Sequence, residues 1–182
     1  MKIVLCGEIG SGKSTVARAA LRQLGWDPPA GFSTHWGGAG RGADVLYFEP
    51  WAGEPQPMAR RIAGPAASGG LPYELDRAKF AKVSVASLAA AAEGRPVAID
   101  ELGLIELGSA EFIAALAEVF RGPAPVLAVI QQRALDRWLA ILGRERVDHL
   151  LAVAPATRAA LPAKIAALFG LNPGAVRRFS TP

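Results

Sequence analysis

Apolar residues fall along this chain in two patterns. Short, nearly continuous runs bounded by Gly, Pro or a charge cover Lys2–Cys6, Pro96–Asp100, Pro125–Gln131 and Leu150–Ala154, and predict strands buried on both faces. Two further strands are expected at Ala30–Thr34 and Asp44–Glu49. Elsewhere apolar positions recur every three or four residues, predicting helices over Gly12–Leu24, Asp76–Glu93, Ser109–Phe120, Ala134–Leu142 and Thr157–Phe169. Gly25, Gly94, Gly122, Gly143 and Gly170 each follow a predicted last turn, where a left-handed residue closes a helix. Strands alternating with helices are the mark of βαβ units. The expected class is α/β, three layers deep, with a mainly parallel sheet and helices on both faces through right-handed crossovers. Gly31 to Pro72, rich in Gly, Pro and Trp, breaks the alternation and reads as an irregular insert after the first helix. With no repeat or linker in view, residues 1–182 are expected to form a single domain, whose ligand crevice lies at the carboxyl ends of the strands.

Composition narrows the class. With 51% apolar and 20% charged residues, the chain is neither disordered nor a coiled coil nor collagen-like. At 182 residues it buries roughly 70% of its unfolded surface, enough for a core without metal clips. Cys6 stands alone, so no internal disulfide forms, and its apolar strand marks it as a small buried hydrophobe. No run approaches the roughly 18 apolar residues of a membrane span, and the opening apolar stretch is too short for a signal peptide, so a soluble cytoplasmic protein without membrane contact is expected. The net charge of +4 comes from Arg far more than Lys, spread along the chain. That spread argues against nucleic acid as a partner, while guanidinium forks suit phosphate oxygens.

Candidate chemistry begins where the first strand ends. Gly7-Glu8-Ile9-Gly10-Ser11-Gly12-Lys13-Ser14 fits the Walker A spacing of Gly, four residues, Gly, Lys, then Ser or Thr. Following a strand and opening a helix, its backbone N–H groups and the positive helix end can wrap phosphate oxygens. Lys13 is expected to reach the β- and γ-phosphates and Ser14 to ligate Mg²⁺, with Thr15 next on the helix. The second constellation is Val97-Ala98-Ile99-Asp100-Glu101, an apolar strand ending in two carboxylates, like a Walker B strand. Asp100 is expected to hold Mg²⁺ and Glu101 to direct a water at the γ-phosphate, since adjacent acids repel unless a cation compensates.

These motifs, with Asp100-Glu101-Leu102-Gly103-Leu104-Ile105-Glu106-Leu107 followed by Ser109 and Phe112, resemble the family of small P-loop nucleoside triphosphatases of the cancer-related type, whose signature reads Asp-Glu-Ile-Gly-Lys-Met-Glu-Leu. Tyr73-x-Leu75-Asp76 with Phe80 is similar to its Tyr-x-Val-Asp segment, and Gly31-Phe32-Ser33-Thr34 to its Gly-Phe-Tyr-Thr, while Arg41-Gly42 stands where it often has Arg before Gly-Phe. The chain departs from the pattern at Leu104, in place of Lys, at His35-Trp36-Gly37-Gly38, and at Thr157-Arg158, where the family shows Asn-Arg. The resemblance implies a P-loop NTPase fold and Mg²⁺-dependent hydrolysis of nucleoside 5′-triphosphates, ATP, GTP and others, to diphosphate and phosphate with broad base selectivity.

Further candidates lie beyond the motifs. Gln131 ends its strand and is expected to sense the γ-phosphate or the attacking water. Of Arg133, Arg137, Arg144 and Arg146, Arg133 is the nearest in sequence to act as an internal arginine finger, the alternative for all four being a solvated helix face. Arg158 follows the last strand, where it can stack on a nucleotide base or simply be exposed, and Thr34 is a candidate phosphate contact or a plain strand residue. His35 and His149 lack companions at metal spacing and are expected in loops or core. The four tryptophans are expected to pack. Two other functions remain open on sequence alone: a small-molecule kinase, against which Glu101 argues, and a nucleotide-gated binding module with little turnover.

Overall fold

The apolar runs form the centre of one sheet, and each is apolar on alternate sides because both faces are covered. The computed structural model describes residues 1–37, 44–61 and 73–170. Its elements are β1 (Lys2–Gly7), α1 (Lys13–Leu24), β2 (Ala30–Trp36), β3 (Val45–Pro50), β4 (Gln56–Arg61), β5 (Tyr73–Leu75), α2 (Arg77–Leu88), β6 (Val97–Leu102), α3 (Ala110–Arg121), β7 (Val126–Gln131), α4 (Leu135–Leu142), β8 (His149–Ala152) and α5 (Leu161–Leu168). The strands run in the order β5-β4-β3-β2-β6-β7-β1-β8, parallel from β2 through β8 and antiparallel from β2 out to β5. In β1, Val4 and Cys6 join one core while Ile3 and Leu5 join the other.

On the Val4 face lie α2, α3 and α4, contributing Phe80, Leu116 and Trp138 among others. An aromatic chain crosses this core from Phe48 through Phe80 and Phe112 to Trp138, with centroids 5.4–6.1 Å apart and edge-on geometry. On the Ile3 face, α1 and α5 pack together through Val16, Ala20, Leu161 and Ile165. Removing a fully buried side chain such as Phe112 costs about 3–5 kcal/mol, a large share of a domain's stability. Helix starts follow local chemistry: Asp76 accepts from Lys79 N–H to cap α2, and Ser109 accepts from Phe112 N–H to cap α3.

Three sequence expectations need correction. The insert is not irregular where it is described, because β3, β4 and β5 extend the sheet in antiparallel fashion. β4 eluded the pattern because only Met58 and Ala59 of its six residues are buried, leaving no alternation to read. Residues 38–43 and 62–72 of the insert, with the Arg41-Gly42 match, lie outside the described residues. Gly25, Gly94, Gly143 and Gly170 take positive φ after their helices, but Gly122 has φ −73° and ψ 175°. Pro123 follows it, and proline pushes its predecessor into extended backbone. Finally, α5 begins at Leu161 rather than Thr157, since Thr157 Oγ1 accepts from Ala154 N–H and closes a separate turn first. No helix among the described residues is long and apolar enough to cross a membrane.

Candidate active site

Asp100 and Glu101 are neighbours in sequence, and in a regular strand they would point to opposite faces of the sheet. The ladder between β6 and β7 pairs Asp100 with Val129 and then Leu102 with Ile130, so Glu101 is an extra, bulged residue. The bulge returns Leu102 to the face of Ile99 and leaves Glu101 at the carboxyl edge, where its Oε1 lies 3.1 Å from Lys13 Nζ. Asp100 stays buried beneath α1, its Oδ1 accepting from Ser14 Oγ at 2.9 Å and its Oδ2 lying 4.0 Å from Arg18 Nε. Burial pushes the Asp100 carboxyl up to about 6, with the Ser14 hydroxyl and Arg18 guanidinium pulling the other way.

The glycine-rich loop joins β1 to α1. Gly12 caps the helix at φ +96°, a conformation that costs glycine little, and turns the first N–H groups of α1 toward the loop. Lys13 donates to Gly7 O and Glu8 O, both at 3.0 Å, so its ammonium closes the loop while facing Glu101. Ser11 Oγ is buried with no hydrogen-bond partner. An orphaned hydroxyl beside free helix N–H groups is what an anion pocket offers. Glu8 and Ile9 form the exposed tip, Ile9 at 82% exposure, and Thr15 faces solvent from the first turn of α1.

Gln131, at the end of β7, donates from Nε2 to Glu101 Oε2 at 3.0 Å and accepts at Oε1 from Arg133 Nε at 3.0 Å. A polarised chain therefore runs from Arg133 through Gln131 and Glu101 to Lys13. Thr34 Oγ1 meets the backbone N–H and C=O of Glu101, both at 3.4 Å. The structure thus brings Lys13, Ser14, Asp100, Glu101, Gln131, Arg133 and Thr34 together. Arg158 lies over the start of α1, its Cδ 3.6 Å from where a Cβ on Gly12 would stand. Arg144 and Arg146 instead pair with exposed Asp136 and Glu145. His35 and His149 sit on β2 and β8 rather than in loops, and His35 Nε2 lies 3.4 Å from Glu49 Oε2.

Four residues that support this site carried no role in the sequence reading. Glu106 is 3% exposed and accepts from Gly103 N–H at 2.7 Å, and Trp138 Nε1–H donates to Gly103 O at 2.9 Å. The peptide groups flanking Gly103 are thus held on both sides. Gly103 also gives the Gln131 amide its room, because a Cβ there would stand 2.8 Å from Gln131 Cδ and Oε1 and would displace them. Burial pushes the Glu106 carboxyl up to about 7, against the pull of hydrogen bonds from its own and the Gly103 N–H. Arg18 is the fourth, one turn beyond Ser14 on α1, where it faces Asp100 and donates to Ser33 Oγ at 3.3 Å. An Arg or Glu on a helix or turn has no sequence mark of inward aim, although Glu106 lies within the signature stretch.

Two hard oxygens, Ser14 Oγ and Asp100 Oδ1, meet at the mouth of a loop with an unsatisfied hydroxyl, and this donor set fits Mg²⁺ shared with a phosphate chain. The chain is 28% identical over 147 residues to the nucleoside-triphosphatase THEP1 of Thermococcus kodakarensis, covering 76% of this chain and 80% of that one. Its fold matches the crystal structure of THEP1 from the hyperthermophile Aquifex aeolicus with a TM-score of 0.76, at 22% identity over 93% of this chain and 99% of the other. The solution structure of a human cancer-related nucleoside triphosphatase matches with a TM-score of 0.73, at 24% identity over 93% and 97%. Since the family model for NTPase covers residues 2–166, nearly all of the described chain and every residue of the site, the protein belongs to the NTPase family and is a nucleoside-triphosphate phosphatase.

Proposed function

We propose that this chain hydrolyses nucleoside 5′-triphosphates to diphosphate and phosphate in a Mg²⁺-dependent reaction of broad base selectivity. The observation that carries the reading is Glu101, a carboxylate set by a strand bulge between Lys13 Nζ and Gln131 Nε2. Lys13 and the loop from Gly7 to Ser14 bind the phosphate chain, and Ser14 with Asp100 would hold Mg²⁺. When bound, the cation supplies neutralisation of charge on the phosphate oxygens. Glu101 accepts a proton from water and orients it in line with the γ-phosphorus, and Gln131 fixes the carboxylate that does so. Arg133, whose Nε holds Gln131, keeps its terminal nitrogens for charge developing on the departing phosphoryl group. Catalysis is then mainly positioning and electrostatics.

Broad base selectivity is supported by the loop after β8. Thr157 Oγ1 is committed to its own turn, receiving Ala154 N–H at 3.1 Å, which leaves the flat guanidinium of Arg158 as the polar surface over α1. A guanidinium plane stacks on any base and reads none. Phosphate release from ATP, GTP, CTP and UTP, with and without Mg²⁺, tests the proposal. Release from several nucleotides only with Mg²⁺ supports it, release without Mg²⁺ removes the cation, release from one nucleotide removes the broad selectivity, and release only with an added phosphoryl acceptor identifies a kinase.

A further inference from the structure

We propose that a cavity along the far half of α1 is a second binding site, for a small molecule with a flat aromatic ring and one anionic group. The cavity holds about 440 Å³ and is lined by Arg18, Leu21 and Arg22 of α1, by Gly25 that caps it, by the Trp26–Pro29 loop and by Trp51. That volume lies in the usual range for small-ligand pockets. Leu21, Arg22 and the capping Gly25 follow Arg18 at intervals of three, four and seven, so they line one stripe of the helix and its end. Lys13 stands twelve residues before Gly25, about 18 Å along the axis, so the far end of the stripe is well apart from the glycine-rich loop.

Two features point to a planar ring. The Trp51 indole is held by its N–H bond to Ala98 O at 2.8 Å, and the Trp26 ring by edge contact with Phe169 at 4.9 Å. Both walls are therefore set before a ligand arrives, which lowers the ordering cost of binding. Charge points to an anion. Arg18 and Arg22, one turn apart, face the cavity against the single carboxylate of Asp27, and among the described residues neither Arg22 nor Asp27 forms an ion pair. The two guanidiniums make a pincer of a kind that suits a carboxylate or phosphate, one turn inside the carbonyl end of the helix. Arg18 has capacity to spare, since its contacts to Ser33 Oγ and Asp100 Oδ2 are 3.3 and 4.0 Å long and its guanidinium carbon lies 5.8 Å from the Trp51 ring centre. The cavity and the acid pair of the candidate active site thus share one side chain.

A purine nucleoside monophosphate and an aromatic carboxylate both carry this chemistry. Calorimetric titration of the full chain with 5′-AMP and, separately, with indole-3-acetate distinguishes them. At least one probe is expected to bind with a Kd below about 1 mM. Exposed Arg22→Glu is expected to weaken that binding at least tenfold, or ~1.4 kcal/mol, while Lys13→Ala leaves it unchanged. Binding of one probe alone names the source of the anion. No heat from either probe up to about 5 mM overturns the proposal, as does binding that Lys13→Ala abolishes and Arg22→Glu does not, because the probe then sits on the glycine-rich loop.

Discussion

Gln131 Nε2 donates to Glu101 Oε2 at 3.0 Å, and the same carboxylate faces Lys13 through its other oxygen at 3.1 Å. Glu101 is thus oriented from two sides while a quarter of its side chain stays open to solvent, the combination a water-directing base needs. Glu101→Gln keeps the size and loses the proton acceptor. Phosphate release should fall about 10²–10⁴-fold, with nucleotide affinity within a few-fold of wild type because the loop and Lys13 remain. Calorimetry with a non-hydrolysable triphosphate beside a phosphate-release assay checks both halves. A variant that turns over normally removes Glu101 from the mechanism.

Gly103 bears on the same contact from behind. A methyl group there would meet Gln131 Cδ and Oε1 at 2.8 Å, so Gly103→Ala must push the amide away from Glu101. Displacing a positioning group by about 1 Å can cost up to a hundredfold. We expect kcat to fall about ten- to a hundredfold with KM little changed. If Gln131 is the route, the double variant Gly103→Ala with Gln131→Ala loses no more than Gln131→Ala alone, and a clean sum of the two losses would falsify it.

Much of this was legible in the residues, for a physical reason in each case. Val97–Ile99 and Val126–Ile130 read as strands because burial on both faces leaves an unbroken apolar run. Lys13 read as a phosphate contact and Ser14 as a Mg²⁺ ligand because a tight strand-to-helix turn admits few spacings. β4 did not read, since an outer strand with two buried residues has no period. The bulge at Glu101 did not read either, because register belongs to the pairing of β6 with β7 and not to either strand alone. Arg18 and Trp138 are ordinary helix residues until the fold aims them, and Glu106 is marked in the sequence only by its place in the stretch from Asp100 to Leu107.

Trp138 carries a second consequence of its burial. Its ring is fully enclosed at the end of the aromatic chain, and its N–H serves Gly103 O. Trp138→Phe keeps an aromatic edge toward Phe112 but leaves the Gly103 carbonyl without that donor and opens a void. An unsatisfied buried carbonyl costs about 1–3 kcal/mol, with the cavity adding to it. Urea unfolding should show a loss of about 2–4 kcal/mol at an unchanged m-value. A loss below about 1 kcal/mol would show that the indole bond stabilises nothing.

Glu106 makes stability depend on pH in a direction opposite to that of a paired surface carboxylate. Its folded pKa of about 7 lies above the ordinary value of 4.5 because burial disfavours the charged form. Between those values the folded chain holds a proton that the unfolded chain has lost, so the folded state binds more protons and stability falls as pH rises. The contribution is full below about 4.5 and is lost by the time pH has passed 7. Glu106→Gln keeps an oxygen to accept the Gly103 N–H and removes the titration. Asp100, raised to about 6, is present in both proteins and cancels in the comparison. The variant should therefore gain on wild type between pH 5 and pH 8, by up to about 3 kcal/mol at 1.4 kcal/mol per pH unit. Urea unfolding of both proteins at the two pH values measures the difference. A gap that stays constant between those pH values means that Glu106 is ionised in the folded chain throughout, with its hydrogen bonds outweighing burial.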